Sequence, residues 1–346
     1  MNNACARDRA PKLRRVFAAL SLHSRDYIRG AMARLAAFNP AGRSLDESVE
    51  RAKLVEKHGY ESLWTIQLPN ARDASLVLAA YAGATERVKL GTGVLPIYTR
   101  HPTAMVQMAA TLDELSGGRF ILGVGVSHKV TVEGMWGMQL DSPVDAMREY
   151  LTIVRTSLRD GACAFEGRFF TARWTYSAPR RADMPVFISA LNPRMLELAG
   201  ELADGVVLYM CAPAYIRDRV VPAIRAGRQK AGKTMEGFEI VAAVDASLTS
   251  DRKAAHDVYR KTVERYASLP YYRKVMDASE FKDELASGQV SEAMIDELAA
   301  IGDQRQIREV LRRYRESGVT LPAIGPFGGH DGAAGFEATL EAAAAD

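Results

Sequence analysis

The stretch 88–125, VKLGTGVLPIYTRHPTAMVQMAATLDELSGGRFILGVG, restricts the fold more than any other part of this 346-residue chain. Val88 to Val94 is short, apolar and β-branched, and it ends in Thr92-Gly93-Val94. From Met105 the apolar positions Met105, Met108, Ala109, Leu112 and Leu115 recur at helical spacing. Phe120 to Val124 is again a continuous apolar run. Strands without polar alternation are buried on both faces, which requires a parallel sheet covered by helices. Both runs also end in glycine, where backbone must come close to something. The segment therefore reads as a βαβ unit with a ligand edge.

The same alternation runs along the chain from Met32. Strands are expected at Ala33–Phe38, Glu61–Ile66, Val88–Val94, Phe120–Val124, Val186–Ala190, Gly205–Tyr209, Phe238–Val244 and Leu321–Ile324. Between them lie helical patterns. One opens on the capping-box sequence Ser44-Leu-Asp-Glu47, and another follows Ser142-Pro143. Eight strands alternating with helices over roughly 290 residues match a (β/α)8 barrel. The alternative is an open doubly wound sheet, but that fold usually carries G-x-G-x-x-G after strand one, and here strand one ends Phe38-Asn39-Pro40. Two insertions are expected: an aromatic excursion at 163–176, after helix four, and a long, mostly helical stretch at 251–302, between strands seven and eight. Both are read as walls of a substrate pocket.

The chain divides into residues 1–31, a single barrel domain at 32–330, and a C-terminal tail at 331–346. The first 31 residues carry seven Arg or Lys against two Asp. They read as a disordered basic arm, a mis-assigned start upstream of the true one, or a targeting segment. A net charge of +3 is too small to argue for nucleic acid. No apolar run approaches the roughly 20 residues of a membrane span. Cys5, Cys163 and Cys211 are odd in number and lack metal-ligand spacing. A reducing, cytoplasmic location is expected, with no nucleic-acid or membrane partner.

In a barrel of this kind chemistry sits on the loops that follow the strands. This selects Asn39, Gln67, Thr92-Gly93, Gly125 to His128, Ser189 to Asn192, Tyr209, Asp245 and Gly325. Only Asp245 among the strand ends is acidic, so the carboxylate pair of a glycosidase is missing. There is no metal-ligand cluster and no G-x-S-x-G elbow. A mouth rich in glycine and amides suits a bound organic cofactor that carries the reactivity itself. Each position also has a plainer reading: Thr92-Gly93 as a turn, His128 as a surface histidine, and Gly123-Val-Gly125 as ordinary strand-end glycines.

The order Gly91-Thr-Gly-Val94, Tyr98-Thr-Arg-His-Pro102, Leu112-Asp-Glu-Leu-Ser-Gly-Gly-Arg119 and Leu122-Gly-Val-Gly125 closely resembles the luciferase-like flavin- or F420-dependent oxidoreductases. The run Asn192 to Gly205, and Val290-Ser-Glu-Ala-Met294 leading to Tyr314-Arg-Glu-Ser-Gly318 and Ile324-Gly-Pro-Phe-Gly328, look like the F420-dependent methylenetetrahydromethanopterin reductases among them. The resemblance covers about residues 32–330. It implies a bacterial-luciferase-like (β/α)8 barrel holding F420, or alternatively FMN, across its mouth. The cofactor ring would lie on Thr92, Gly93 and Val94, with a non-prolyl cis peptide at Gly93–Val94, and near Gly125. The phosphate would meet backbone N–H groups at Ser189, Ala190, Leu191 and Asn192, by a helix N-terminus. The family commonly has glycine where Asn192 stands. Asn39 and Gln67 would bond the substrate or ring edge, and His128 would donate a proton. The implied activity is hydride transfer between F420 and a small organic substrate; the alternative is an FMN-dependent monooxygenase using reduced flavin and O2. A homodimer or higher homo-oligomer is expected.

Overall fold

The computed structural model describes residues 34–39, 42–328 and 333–344. Its centre is a ring of eight parallel strands: β1 (Ala36–Phe38), β2 (Ser62–Thr65), β3 (Lys89–Thr92), β5 (Phe120–Gly125), β8 (Val186–Ser189), β9 (Gly205–Leu208), β10 (Glu239–Leu248) and β12 (Leu321–Pro326). The short β4 (Leu95–Pro96) adds to β5. Pairing of Ala36 with Ala323 joins β1 to β12 and closes the ring. The expected (β/α)8 barrel is therefore the fold.

Alternation along each strand separates two cores. Ala36, Phe38, Trp64, Ile121, Phe187, Val207, Val241, Ala243, Leu321 and Ala323 pack together inside the ring. Their neighbours in sequence, such as Ala37, Leu63, Leu122, Ile188, Val206 and Ala242, face the helices. Both faces of the ring strands are thus dry over most of their length, which is why they read as apolar runs.

Eight helices link or cover the strands up to the seventh crossing: α1 (Leu45–Lys57), α2 (Ala74–Ala84), α3 (Pro102–Leu115), α4 (Pro143–Asp160), α5 (Pro193–Leu202), α6 (Pro213–Tyr215), α7 (Val221–Lys230) and α8 (Arg252–Ala267). Their starts are set by side chains. Ser44 accepts from Glu47 N and Asp73 from Ser75 N and Leu76 N, satisfying amides that the first turn leaves open. The Glu47 carboxylate turns back to Arg43 N instead of the Ser44 amide, so the expected capping box is only half formed. Ser142 gives α4 no side-chain cap and takes a left-handed conformation, φ 41°.

The 251–302 stretch holds α8, α9 (Pro270–Asp277), α10 (Lys282–Ala286), α11 (Glu292–Leu298) and a strand absent from the sequence reading, β11 (Ala299–Gly302). Ala299-Ala300-Ile301 has the composition of a helix, but β10 runs four residues beyond its expected end and offers Asp245–Leu248 as a pairing edge. Tyr259, Val263, Met276, Phe281, Met294 and Ile295 give this insertion its own small core. The 163–176 excursion is a hairpin, β6 (Ala162–Glu166) and β7 (Thr171–Thr175). It lies along the outer face of α4, with Cys163 and Ala172 on Ile153 and the Trp174 indole donating to Ser157 Oγ. Only its tip reaches the rim, where Phe170 meets His101, so the hairpin is an outer strut and the expected pocket wall is corrected.

The last crossing is α12 (Gln304–Glu316), whose Ile307, Val310, Leu311 and Tyr314 form one buried stripe. Residues read from sequence as a tail from 331 include α13 (Ala333–Ala344), which buries Phe336 and Leu340 in the main core. The Tyr60 hydroxyl donates to Leu340 O, and Lys57 pairs with Glu337. The helix was concealed because, besides alanine, Phe336 and Leu340 are its large apolar side chains. Residues 1–33 lie outside the described part, as do Gly329 to Gly332. Among the described residues no helix is long and apolar enough to cross a membrane.

Candidate active site

The C-terminal ends of the strands form one open end of the ring. Ile66, Val94 and Tyr209 cap the inner core there. Two residues beyond Ala243 and Ala323, the same inward parity brings Asp245 and Gly325 side by side, in register across β10 and β12. The Tyr209 hydroxyl donates to Asp245 Oδ2 at 2.7 Å. Burial holds the Asp245 carboxyl above the usual carboxylate range, while the Tyr209 and Tyr259 hydroxyls act the other way by favouring its ionised form.

Opposite, β3 and β5 part after Gly91 and Ile121. The Thr92 side chain takes over the ladder: its Oγ1 donates to Gly123 O at 2.8 Å and accepts from Gly123 N at 2.7 Å. The chain then passes through a cis peptide at Gly93–Val94, where the family resemblance places it. The glycines have a different reason from the one read in the sequence. A Cβ on Gly93 would lie 2.5 Å from Phe38 Cε1, and one on Gly123 would collide with the Thr92 carbonyl. One on Gly125 would meet Ser189 Oγ and Val94 Cγ2. What the backbone comes close to is the barrel's own interior.

The helical insertion roofs this end. Tyr209 stands edge-on to Tyr266 and Tyr272, at 4.9 and 6.3 Å between centroids. His128, just after β5, lies 5.5 Å from Tyr272 and 6.2 Å from Tyr271. Among the described residues, the polar atoms buried at the strand ends without a protein partner include His128 Nδ1, the Tyr98 hydroxyl, Asn39 Oδ1 and Thr65 Oγ1. Burial alone lowers the His128 pKa, so its imidazole is neutral at pH 7; burial first, with Tyr271 and Asp141 nearby, pushes the Tyr98 hydroxyl up to about 12. Buried polar atoms rarely go unpaired, and where they do a missing ligand or water is the usual reason.

The sequence-selected residues divide. Thr92, Gly93, Val94, Gly125, Ser189 and His128 come together at the mouth. Ala190 is buried, Leu191 O accepts from the Tyr215 hydroxyl, and Asn192 opens α5 without capping it by its side chain. Pro193 has no N–H, and Met195 N and Leu196 N bond Asn192 O, so of the first-turn amides Arg194 N is the one left for an outside acceptor. Asn39 has the outward parity of Ala37, and its amide donates to Ser48 O and to Tyr81 Oη, between α1 and α2. Its donors serve that helix layer, while its Oδ1 is buried without a partner. Gln67 is spent similarly, accepting from Ala74 N and donating to Leu68 O. The sequence reading flagged Tyr209 and Asp245 without giving them a role, and missed Tyr98, Tyr266, Tyr271 and Tyr272. Tyr259 and Tyr266, seven residues apart in a helical stretch, were the available signal. An open groove of about 840 Å³ lies between β11 and α12, lined by Arg252, Asp296, Ile301, Arg305 and Arg313.

The sequence profile described as luciferase-like monooxygenase matches residues 30–321. The chain belongs to this family. A 5,10-methylenetetrahydromethanopterin reductase of Methanolobus tindarius is 28% identical over 289 residues, covering 79% of this chain and 88% of its own. A putative coenzyme F420-dependent oxidoreductase of Mycobacterium tuberculosis is 29% identical over 316 residues, covering 80% and 89%. The solved coenzyme F420-dependent tetrahydromethanopterin reductase of Methanopyrus kandleri superposes with a TM-score of 0.75 at 24% identity, over 90% of this chain and 97% of that one. Part of the family pattern proves to be scaffold at the far end of the barrel. Asp113 pairs with Arg181, and the Arg119 guanidinium donates to Ala82 O, Thr85 O and Val88 O.

Proposed function

We propose that this protein is an F420-dependent oxidoreductase that moves a hydride between the deazaflavin and a small organic substrate. The observation that carries this reading is the pair of buried, unpartnered polar atoms, His128 Nδ1 and Tyr98 Oη, at the mouth of a luciferase-like barrel. They fit a polar, planar guest with hydrogen-bonding edges. The F420-dependent relative supports the choice of cofactor. F420, when bound, supplies the carbon centre that takes or gives the hydride. The chain's own groups orient and enclose it: Gly93 and Val94 as the bed, Ser189 at its edge, and the α5 N-terminus toward its phosphate, where the helix dipole favours an anion. Tyr271 and Tyr272 exclude water from above. A methanopterin-type one-carbon carrier is the substrate class that the reductase relatives suggest.

The family's monooxygenase description supports FMN as the second reading. Parallel titrations of the purified protein with F420 and FMN, read by cofactor fluorescence and absorbance, decide between them. The proposal expects F420 to saturate at tens of micromolar or below. Saturation by FMN alone overturns the cofactor assignment, and no response to either overturns the enzyme assignment.

A further inference from the structure

Asp245 is an unusual occupant of its position. The hydrophobic members of the inner core below it include Val241, Ala243, Leu321 and Ala323, and on the adjacent strand β12 its partner in register is Gly325. One carboxyl oxygen, Oδ2, is fixed by the Tyr209 hydroxyl at 2.7 Å. The other, Oδ1, occupies the space that a side chain at 325 would need: a Cβ there would come within 2.6 Å of it. Among the described residues, the ionisable groups acting on this carboxyl are phenols: Tyr209 just after β9, Tyr259 and Tyr266 from α8, and Tyr314 from α12. None supplies the positive charge that a buried carboxylate needs.

We propose that Asp245 is a proton-donating catalytic residue, presenting Oδ1 to the substrate through the gap at Gly325 while Tyr209 holds Oδ2. The inference rests on the hydride-transfer reading above. In reduction of a methylene carbon held between two nitrogens, as in the one-carbon carrier proposed above, that carbon gains a hydride from the reduced deazaflavin. One C–N bond opens, its electron pair stays on nitrogen, and that nitrogen takes the Asp245 proton. Asp245 is left as a carboxylate, stabilised by the Tyr209 hydrogen bond until solvent reprotonates it. Burial raises the carboxyl's pKa, the direction a donor near neutral pH requires. Tyr209 is a positioning residue in this scheme.

The test compares the full-length protein with Asp245→Asn, Tyr209→Phe and Gly325→Ala. Infrared difference spectra of the cofactor-free proteins should show a protonated-carboxyl band in wild type at neutral pH that D245N lacks. With bound F420 and the methylene form of the one-carbon carrier, wild-type hydride transfer should fall as pH rises through the pKa of that band. D245N should be about 10²–10⁴-fold slower and flat over the same range, while still binding F420. Y209F should move the wild-type profile to a different pH without flattening it, and G325A should slow transfer by crowding Oδ1. The proposal is overturned by absence of the band, or by D245N retaining the wild-type rate and profile. If D245N does not fold, an unmoved profile in Y209F overturns it. Failure of both cofactors to bind refutes the functional reading alone, since the band is read without cofactor.

Discussion

Thr92→Val tests whether one side chain holds the barrel together where β3 and β5 part. Valine keeps the shape of threonine and removes only the hydroxyl, which is fully buried and bonds both Gly123 N and Gly123 O. Two backbone groups would be left unpaired where water does not reach, at about 1–3 kcal/mol each. The added methyl returns roughly 1 kcal/mol of apolar burial. The net loss is about 3 kcal/mol, within a range of about 1–5. Thr92→Ser retains both bonds and should lose only about 1 kcal/mol, for one buried methyl. Urea unfolding followed by tryptophan fluorescence, with Trp64 inside the ring, measures the difference. A T92V loss below about 0.5 kcal/mol, the size of an ordinary surface change, refutes the reasoning. So does a T92S loss as large as that of T92V, because the cost would then come from packing.

Three further outcomes follow from the same structure. Gly123→Ala forces a methyl into the Thr92 carbonyl and should destabilise by about 3 kcal/mol or more, measured by the same unfolding curves; a neutral result would show that the strands separate freely there. His128 has a folded pKa below its unfolded value of about 6.5, so its contribution is fully present above that pH and is lost as pH falls through the unfolded value toward the lowered one. His128→Phe should therefore lose less stability than wild type between pH 7 and pH 5, and equal acid sensitivity would count against a buried neutral ring. A chain ending at Gly328 loses the burial of Phe336 and Leu340, roughly 3 kcal/mol each, a sum comparable to the whole stability of many domains. It should fail to show a cooperative thermal transition by circular dichroism, and a melt within a few degrees of wild type would show α13 to be dispensable.

The barrel was legible in the sequence because a parallel sheet sandwiched between core and helices leaves every strand uniformly apolar, with helices spaced between. That same uniformity hid which way each side chain faces. In β1, Leu35, Ala36, Ala37 and Phe38 are all buried, so nothing in the pattern tells that Phe38 points inward and Asn39 outward. Asn39 was read as facing the site, whereas its amide nitrogen reaches outward to Tyr81 on α2. At Asp245 the difficulty is of the other kind. A single carboxylate after an apolar run reads as the end of a strand, yet β10 continues to Leu248 because β11 pairs with it, and the acid is carried inward on a rigid element. The roofing tyrosines come from a stretch 130 or more residues away from His128, and only closure of the ring brings them together.

Phe38 and Trp64 fill the inside of the barrel only because Gly93 and Gly91 leave their space empty: a Cβ on Gly91 would lie 2.5 Å from the Trp64 indole, as one on Gly93 would from Phe38. Each glycine and its aromatic ring thus behave as one unit of volume divided between two strands. A change to one partner sets what the other can become, so substitutions at these four positions should be strongly non-additive. Reshaping the floor of the pocket for a different guest means replacing residues in pairs, a smaller ring with a larger neighbour, and any variant library that varies β1 or β2 alone explores only half of the shapes this floor can take.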